Sequence, residues 1–297
     1  MAEQQVEFRR VREFGENIND TFLFIRQNFA PLLKSFFAIC ALFILAQAIF
    51  NGLYQSQALG IFAEILSGRR TGGGRFGAFD QVTSMNQLMA VLFSLLSFVS
   101  MNVTIGAYVK HYVETNGRRP GIEEVWNLFK KYFFKVLAFS IPVYLSVIIG
   151  CLFCLLPGIY LMVVFVPFSL VVMIEDTNFS DAYYRCFELI RENFWPSFAV
   201  YLVVYLIYYL CGFIIGGLFS AIIGLGAYLT TDDFSAPIGL ATSFFTVFSV
   251  CFYMIFFVSA AFQYFSLVEK REGTGILTRI NTIGQDKHNA DNQEDQF

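Results

Sequence analysis

Residues 133–174 read FFKVLAFSIPVYLSVIIGCLFCLLPGIYLMVVFVPFSLVVMI, with Lys135 as the only charge. A hydrocarbon core about 30 Å thick takes roughly 20 mainly apolar residues of helix. Phe133–Leu156 and the shorter Gly158–Ile174 both suit such a span, and only Leu156-Pro157-Gly158 joins them. They are therefore expected to form a tight transmembrane hairpin. Pro142 and Pro167 fall inside the spans, where prolines are tolerated and usually kink the axis.

Working outward, four more stretches qualify: Leu32–Tyr54, Leu88–Tyr108, Phe194–Leu218 and Ser243–Leu267. Composition agrees. Of 297 residues, 56% are hydrophobic and 14% charged, and the mean hydropathy is +0.58. A soluble chain carries roughly 25% charged residues. Disorder, a secreted disulfide scaffold and an ordinary soluble enzyme are excluded, and a net charge of -3 gives no footing for nucleic acid. The fold class expected is an all-α membrane protein with six transmembrane helices. Residues 1–268 form that domain, and residues 269–297 form a cytoplasmic tail, mostly disordered, with one short surface helix at Gly275–Ile283. The charged, mixed stretch before Leu32 argues against a cleavable signal peptide, and Arg9-Arg10 reads as topological charge.

The charges choose an orientation. With the N-terminus inside, every Lys and Arg falls on the cytoplasmic side except Arg69, Arg70 and Arg75, and the loop between the fifth and sixth spans holds only Asp232 and Asp233. The positive-inside rule then places both termini in the cytoplasm. The longest external connection runs from Gln55 to Ser84, with a Gly- and Arg-rich centre at 68–77 that reads as a flexible loop.

An amphipathic stretch precedes each pair of spans. In the first, Phe8, Val11, Gly15, Ile18, Phe22, Ile25 and Phe29 recur at helical spacing and predict one apolar stripe. The second runs from Ile122 through Val125, Trp126 and Phe129 to Phe133. The third uses Phe179, Ala182, Tyr183, Cys186, Ile190 and Phe194, with Asn178 as its cap. Ile25-Arg26-Gln27-Asn28-Phe29-Ala30-Pro31 matches Ile190-Arg191-Glu192-Asn193-Phe194-Trp195-Pro196, and at the same offset Phe14 meets Phe179 and Phe22 meets Phe187. In the middle stretch, Ile122, Trp126, Lys130 and Phe133 meet Ile18, Phe22, Arg26 and Phe29 more weakly. The expected organisation is three parallel repeats of cytoplasmic helix plus transmembrane hairpin, at about residues 8–113, 120–174 and 178–268. Phe22 and Phe187 would be equivalent anchors beneath the bundle.

Leu156-Pro157-Gly158-Ile159-Tyr160-Leu161, followed by Phe165, Pro167, Glu175, Ala182, Arg185, Leu189, Asn193 and Trp195, resembles the core of the bacterial glycerophosphoryl diester phosphodiesterase membrane-domain family and the related YciC-like families. Two departures stand out. Cys186-Phe187 replaces the usual Ser-Trp, and Val163-Val164 stands where an Arg often follows the turn. The resemblance implies a six-helix integral membrane domain of mostly uncharacterised role. The phosphodiesterase of the family name is a separate soluble domain, and none lies within these residues.

Chemistry-bearing residues are sparse. Cys40, Cys151, Cys154, Cys186, Cys211 and Cys251 lie mostly in apolar runs. Cys151 and Cys154 have a CxxC spacing without His or carboxylate neighbours, so packing is expected rather than a four-ligand zinc site. His111 and His288 are the only histidines. His111, near Lys110 and Glu114, reads as an interfacial residue. Catalytic residues, metal and cofactor are expected to be none. No charged residue sits mid-span, which argues against an ion-driven pump.

Tyr201, Tyr205, Tyr208 and Tyr209, with Asn102, either line a cavity for a lipid or small molecule or bond to neighbouring helices, the second being the default. Gly212 and Gly216 form a GxxxG packing site. Glu175 is expected to pair with Arg185 or Arg191. The function expected is that of a non-enzymatic inner-membrane scaffold, regulator or subunit in envelope homeostasis, with a transporter or lipid-handling protein as the alternative. Its partners would be the lipid bilayer and other membrane proteins or lipids.

Overall fold

The computed structural model describes residues 6–66, 85–230 and 235–273. Among these residues only helix is found: α1 Phe14–Leu66, α2 Met85–Glu114, α3 Ile122–Phe153, α4 Leu155–Phe165, α5 Phe168–Ile174, α6 Phe179–Ile190, α7 Phe194–Thr230 and α8 Ser235–Glu272. A 3-10 turn, Arg191–Asn193, joins α6 to α7. Six segments are long and apolar enough to cross a membrane: Phe14–Ser56, Met85–Glu114, Ile122–Phe153, Leu155–Ile174, Phe179–Ile223 and Ser243–Glu272. The Gly- and Arg-rich stretch 68–77, Asp232, Asp233, His288 and the tail helix expected at Gly275–Ile283 lie outside the described residues.

Boundaries differ from the sequence reading in instructive ways. Amphipathic stretch and span form one helix in α1 and again in α3, whereas α6 is separated from α7 by the 3-10 turn. Helix α1 also continues to Leu66, into the expected external loop. The hairpin turns at Cys154, whose backbone is extended (φ -168°, ψ 147°). Leu156-Pro157-Gly158 is therefore the first turn of α4. Pro157 is accommodated there because first-turn N–H groups have no intrahelical acceptor anyway. Gly158 is required by proximity: a Cβ on it would lie 2.3 Å from Cys151 Sγ and 2.8 Å from Cys151 Cα. Pro167 breaks the fourth span into α4 and α5 and occupies the N-cap of α5.

Helix α1 packs between α2 and α8, α8 continues to α7, and α3 links α2 to the α4 arm of the hairpin. Helix α5 leans on α2, and α6 lies against α4, α5 and α8. All connections at one end carry charge, and this end is knitted together. Phe8 stacks on Phe262 (4.3 Å), and Arg12 donates its backbone N–H to Ser266 Oγ (2.9 Å). Lys110 Nζ donates to Met173 O (2.6 Å), and Lys131 and Lys135 reach Asp176 at 3.2 and 3.0 Å.

The face of α1 that packs is not the expected apolar stripe. Phe22 is 42% exposed and Phe29 54%, while Asn17, Thr21, Phe24, Asn28 and Leu32 point inward. The inward amides find hydrogen-bond partners in the bundle, which fixes this face of α1 inward. Asn17 Nδ2 donates to Gln263 Oε1 (2.9 Å), Ser259 Oγ donates to Asn17 Oδ1 (3.0 Å), and Gln263 Nε2 donates to Ser197 Oγ (3.0 Å). Tyr108 donates to Asn28 Oδ1 at 3.1 Å. Phe187, by contrast, is half-buried against Phe165 (5.5 Å) and Tyr183 (5.4 Å), so it is anchored where Phe22 is exposed.

Candidate functional site

Helices α2, α3, α4, α5, α7 and α8 enclose a cavity of about 420 Å³. Its walls are mostly apolar, and no Asp, Glu, Lys, Arg or His stands among the described lining residues. Three polar groups are already engaged. Asn102 donates to Phe98 O (3.3 Å) and accepts from Ser169 Oγ (3.1 Å), and Ser140 Oγ donates to Val136 O (2.7 Å). Tyr201 is different. Its side chain is buried, and its hydroxyl has no hydrogen-bond partner among the described residues. Leaving such a group unmet costs roughly 1–3 kcal/mol. The cavity also reaches the outer surface of the bundle. Met162 of α4 and Leu202 and Tyr205 of α7 belong to its lining, yet are 56%, 42% and 45% exposed. The opening therefore lies sideways, between α4 and α7.

Of the tyrosine group, Tyr201 and Tyr205 come together with Asn102 in this cavity. Tyr208 lines a second cavity and packs its ring on Tyr253 at 4.3 Å. Tyr209 faces outward and stacks on Phe213 at 6.4 Å. The sequence reading did not include Ser140, Ser169, Tyr144 and Tyr253. Nothing in the sequence singles out Ser140 and Ser169 from the other serines of these spans. Gly212 and Gly216 face Phe245 of α8, and a Cβ on Gly216 would strike that ring at 1.9 Å. Their use is helix packing within the bundle.

At the charged end, Glu175 Oε1 accepts from Arg185 Nε (3.2 Å) and from the Tyr264 hydroxyl (2.9 Å). Arg185 also pairs with Glu188 (3.1 Å) and Glu272, so it ties α6 to α5 and α8. Arg191 is exposed in the 3-10 turn. Asn178 holds the N-cap position of α6 with extended backbone, but its side chain makes no capping bond.

His111 Nε2 lies 3.3 Å from Glu124 Oε2, while Glu114 faces Lys110 at 3.8 Å. Glu124 Oε2 accepts from the Gly121 N–H (2.8 Å), and its Oε1 accepts from Arg118 Nη2 (2.9 Å). Arg12, which the sequence reading passed over, is almost wholly buried. It is held by Asp20 (2.8 Å) and by the carbonyls of Phe8 (2.8 Å), Arg10 (3.1 Å) and Glu7, and burial lowers its pKa against the pull of Asp20.

Among the described residues no group of three or more His, Cys, Asp or Glu could hold a metal ion. Cys151 and Cys154 are exposed at the hairpin tip, and Cys40 is buried 3.2 Å from Thr104 Oγ1. No family model matches the chain, and neither does any curated protein or solved structure.

Proposed function

We propose that this chain is a multi-pass protein of the bacterial inner membrane, both termini cytoplasmic, that holds the hydrocarbon part of a lipid or another lipophilic molecule in the cavity beside Tyr201. One observation carries the reading: an apolar cavity, uncharged among its described lining residues, opens sideways between α4 and α7 and keeps one buried hydroxyl, that of Tyr201, without a partner among the described residues. A volume of about 420 Å³ falls within the range of small-ligand sites, roughly 300–1,000 Å³. Apolar walls suit a chain, and the sideways opening suits entry from lipid rather than from water. The role is binding or handling, without chemistry on the ligand.

A scaffold or subunit role would favour large exposed cytoplasmic helices. Helix α6 instead buries Ala182, Cys186, Leu189 and Ile190, and the segment before α1 folds onto α8. The orientation rests on the Lys/Arg distribution. A repeated architecture is supported by burial in phase. Thr21, Leu32, Phe36 and Ile39 are buried, as are Cys186, Ser197, Tyr201 and Val204 at the offset of the matching heptapeptides. Val125, Val136, Ser140 and Val143 follow the same order in α3. The likeness of 156–195 to the phosphodiesterase membrane-domain and YciC-like families points to the same six-helix membrane class.

The test is native mass spectrometry of the full chain extracted in mild detergent, beside Val147→Trp, which fills the cavity, and Tyr201→Phe, which removes only the hydroxyl. The wild type should carry one lipophilic molecule per chain, Val147→Trp none, and Tyr201→Phe a reduced fraction. Equal adduct patterns in all three would overturn the reading.

A further inference from the structure

A second cavity, of about 500 Å³, is walled by α1, α2, α7 and α8 on the side away from the charged end. From α1 come Gln47, Asn51 and Gln55, four residues apart and so on one face. Ser94, Tyr208 and Ser249 belong to the same lining. At 1.5 Å per residue the three amides run about 12 Å along α1. Gln55 lies near the end of the apolar segment Phe14–Ser56, so the cavity runs inward from the end of the bundle opposite the charged one. Amides and hydroxyls both donate and accept hydrogen bonds, and no Lys, Arg, His, Asp or Glu stands among the described lining residues. Gln47 Oε1 is buried there without a hydrogen-bond partner among the described residues.

The two cavities adjoin. Phe98 and Tyr253 line both, and their rings meet edge-on at 6.2 Å. Side chains, which can change rotamer, divide the two spaces. Among the described residues each space also holds a polar atom without a partner: Gln47 Oε1, which needs a donor, and the Tyr201 hydroxyl.

Resting on the lipid reading above, we infer that the outer cavity takes the uncharged, hydroxyl-bearing headgroup of a lipid in the leaflet away from the charged end, whose chain passes Phe98 and Tyr253 into the apolar cavity. A headgroup hydroxyl supplies the donor that Gln47 lacks, and further hydroxyls meet Asn51 and Gln55. An anionic phosphodiester headgroup would demand a cation, which this lining does not offer.

Four probes test this against the full chain in detergent, with binding followed by native mass spectrometry: monoolein, with two headgroup hydroxyls; methyl oleate, the same chain without them; dioleoyl phosphatidylglycerol, which adds a phosphate; and free glycerol. Monoolein should bind about tenfold more tightly than methyl oleate, the yield of two or so net hydrogen bonds. The double substitution Gln47→Leu with Asn51→Leu should bring monoolein down to the methyl oleate level. An unchanged thermal transition of the variant in detergent without added lipid shows that it is folded. If monoolein and methyl oleate bind the wild type equally, the headgroup site is wrong and the lipid reading stands. If neither binds, the lipid reading itself fails. Displacement of monoolein by equimolar phosphatidylglycerol would overturn the uncharged headgroup. Competition by glycerol at monoolein concentrations would mean a free polyol site instead.

Discussion

Replacing Gly158 by Ala adds one methyl at the closest backbone approach in the hairpin. That methyl would lie 2.3 Å from Cys151 Sγ, 2.8 Å from Cys151 Cα and 2.9 Å from Cys151 N. The thiol can rotate away, but the backbone atoms cannot. Carbon atoms rest at about 3.5–4.0 Å, so α3 and α4 must part by roughly 1 Å. Gly150 belongs to the same contact: a Cβ added there would lie 3.3 Å from Gly158 Cα, so the two helices meet backbone to backbone. Overpacking of this kind costs about 1–3 kcal/mol, and a backbone clash belongs at the upper end. Gly217→Ala is the matched control. Nothing lies within 4 Å of its added methyl, and Ala in a helix interior gains up to about 1 kcal/mol over Gly. The two identical substitutions should move thermal unfolding in detergent in opposite directions, or leave Gly217→Ala neutral. Adding Cys151→Ala to Gly158→Ala relieves only the 2.3 Å contact, so rescue should be partial. An unchanged transition for Gly158→Ala, or complete rescue by Cys151→Ala, would refute the close-packed hairpin.

Glu175→Gln should couple to Arg185→Met by about 1–2 kcal/mol in a double-mutant cycle, since the pair is partly buried and hydrogen-bonded, and to Arg191→Met by less than about 0.3 kcal/mol. Asp176 sits at φ 48°, a conformation Asn tolerates, and hydrogen bonds from Lys135 and then Lys131 hold its carboxyl below the ordinary value. A depressed carboxylate stabilises fully above the unfolded value, about 3.9, and that contribution is lost as pH falls through the folded value. The melting temperature should therefore drop on acidification below about pH 4, and Asp176→Asn should flatten that drop; an identical acid limb would contradict the contact. Phe24→Asp should abolish folded yield, because Phe24 is buried among Phe8, Tyr112 and Phe262, while Phe22→Asp, at an outward-facing position, should keep a folded yield well above that of Phe24→Asp. Equal losses at both positions would restore the stripe reading of α1.

What could be read from the sequence divides along physical lines. Spans depend on summed hydropathy over roughly 20 residues, so six long apolar helices were legible; of the two expected kinks, Pro167 falls at a helix break and Pro142 lies inside the unbroken α3. Which face of α1 turns inward was not. Amphipathic periodicity locates a polar face and an apolar face, but it does not say which solvent lies outside. In the structure Asn17 and Asn28 turn inward, where the bundle supplies their partners, and Phe22 and Phe29 turn out. The turn position was missed by a few residues because Pro157 and Gly158 read as turn formers. A first helical turn accepts Pro, and a close helix approach requires Gly. Asn102, Tyr201 and Tyr205 stood out as polar or phenolic groups inside apolar spans, yet Ser140 and Ser169 look like any serine until α3 and α5 are placed around the same space. Arg12 could not be separated from Arg9 and Arg10 by sequence, because its burial depends on Ser266 and Phe262, more than two hundred residues away.

The most direct test asks whether lipid chains enter the cavity. Trp126 and Trp195 are replaced by Phe, and a single Trp is introduced by Phe257→Trp, on the cavity wall, or by Phe36→Trp, equally hidden but outside both linings. Each variant is reconstituted with phosphatidylcholine brominated at mid-chain, and tryptophan quenching is measured. A cavity open between α4 and α7 should give strong quenching for Phe257→Trp and little for Phe36→Trp. Equal, weak quenching at both positions would show that no chain reaches the space beside Tyr201.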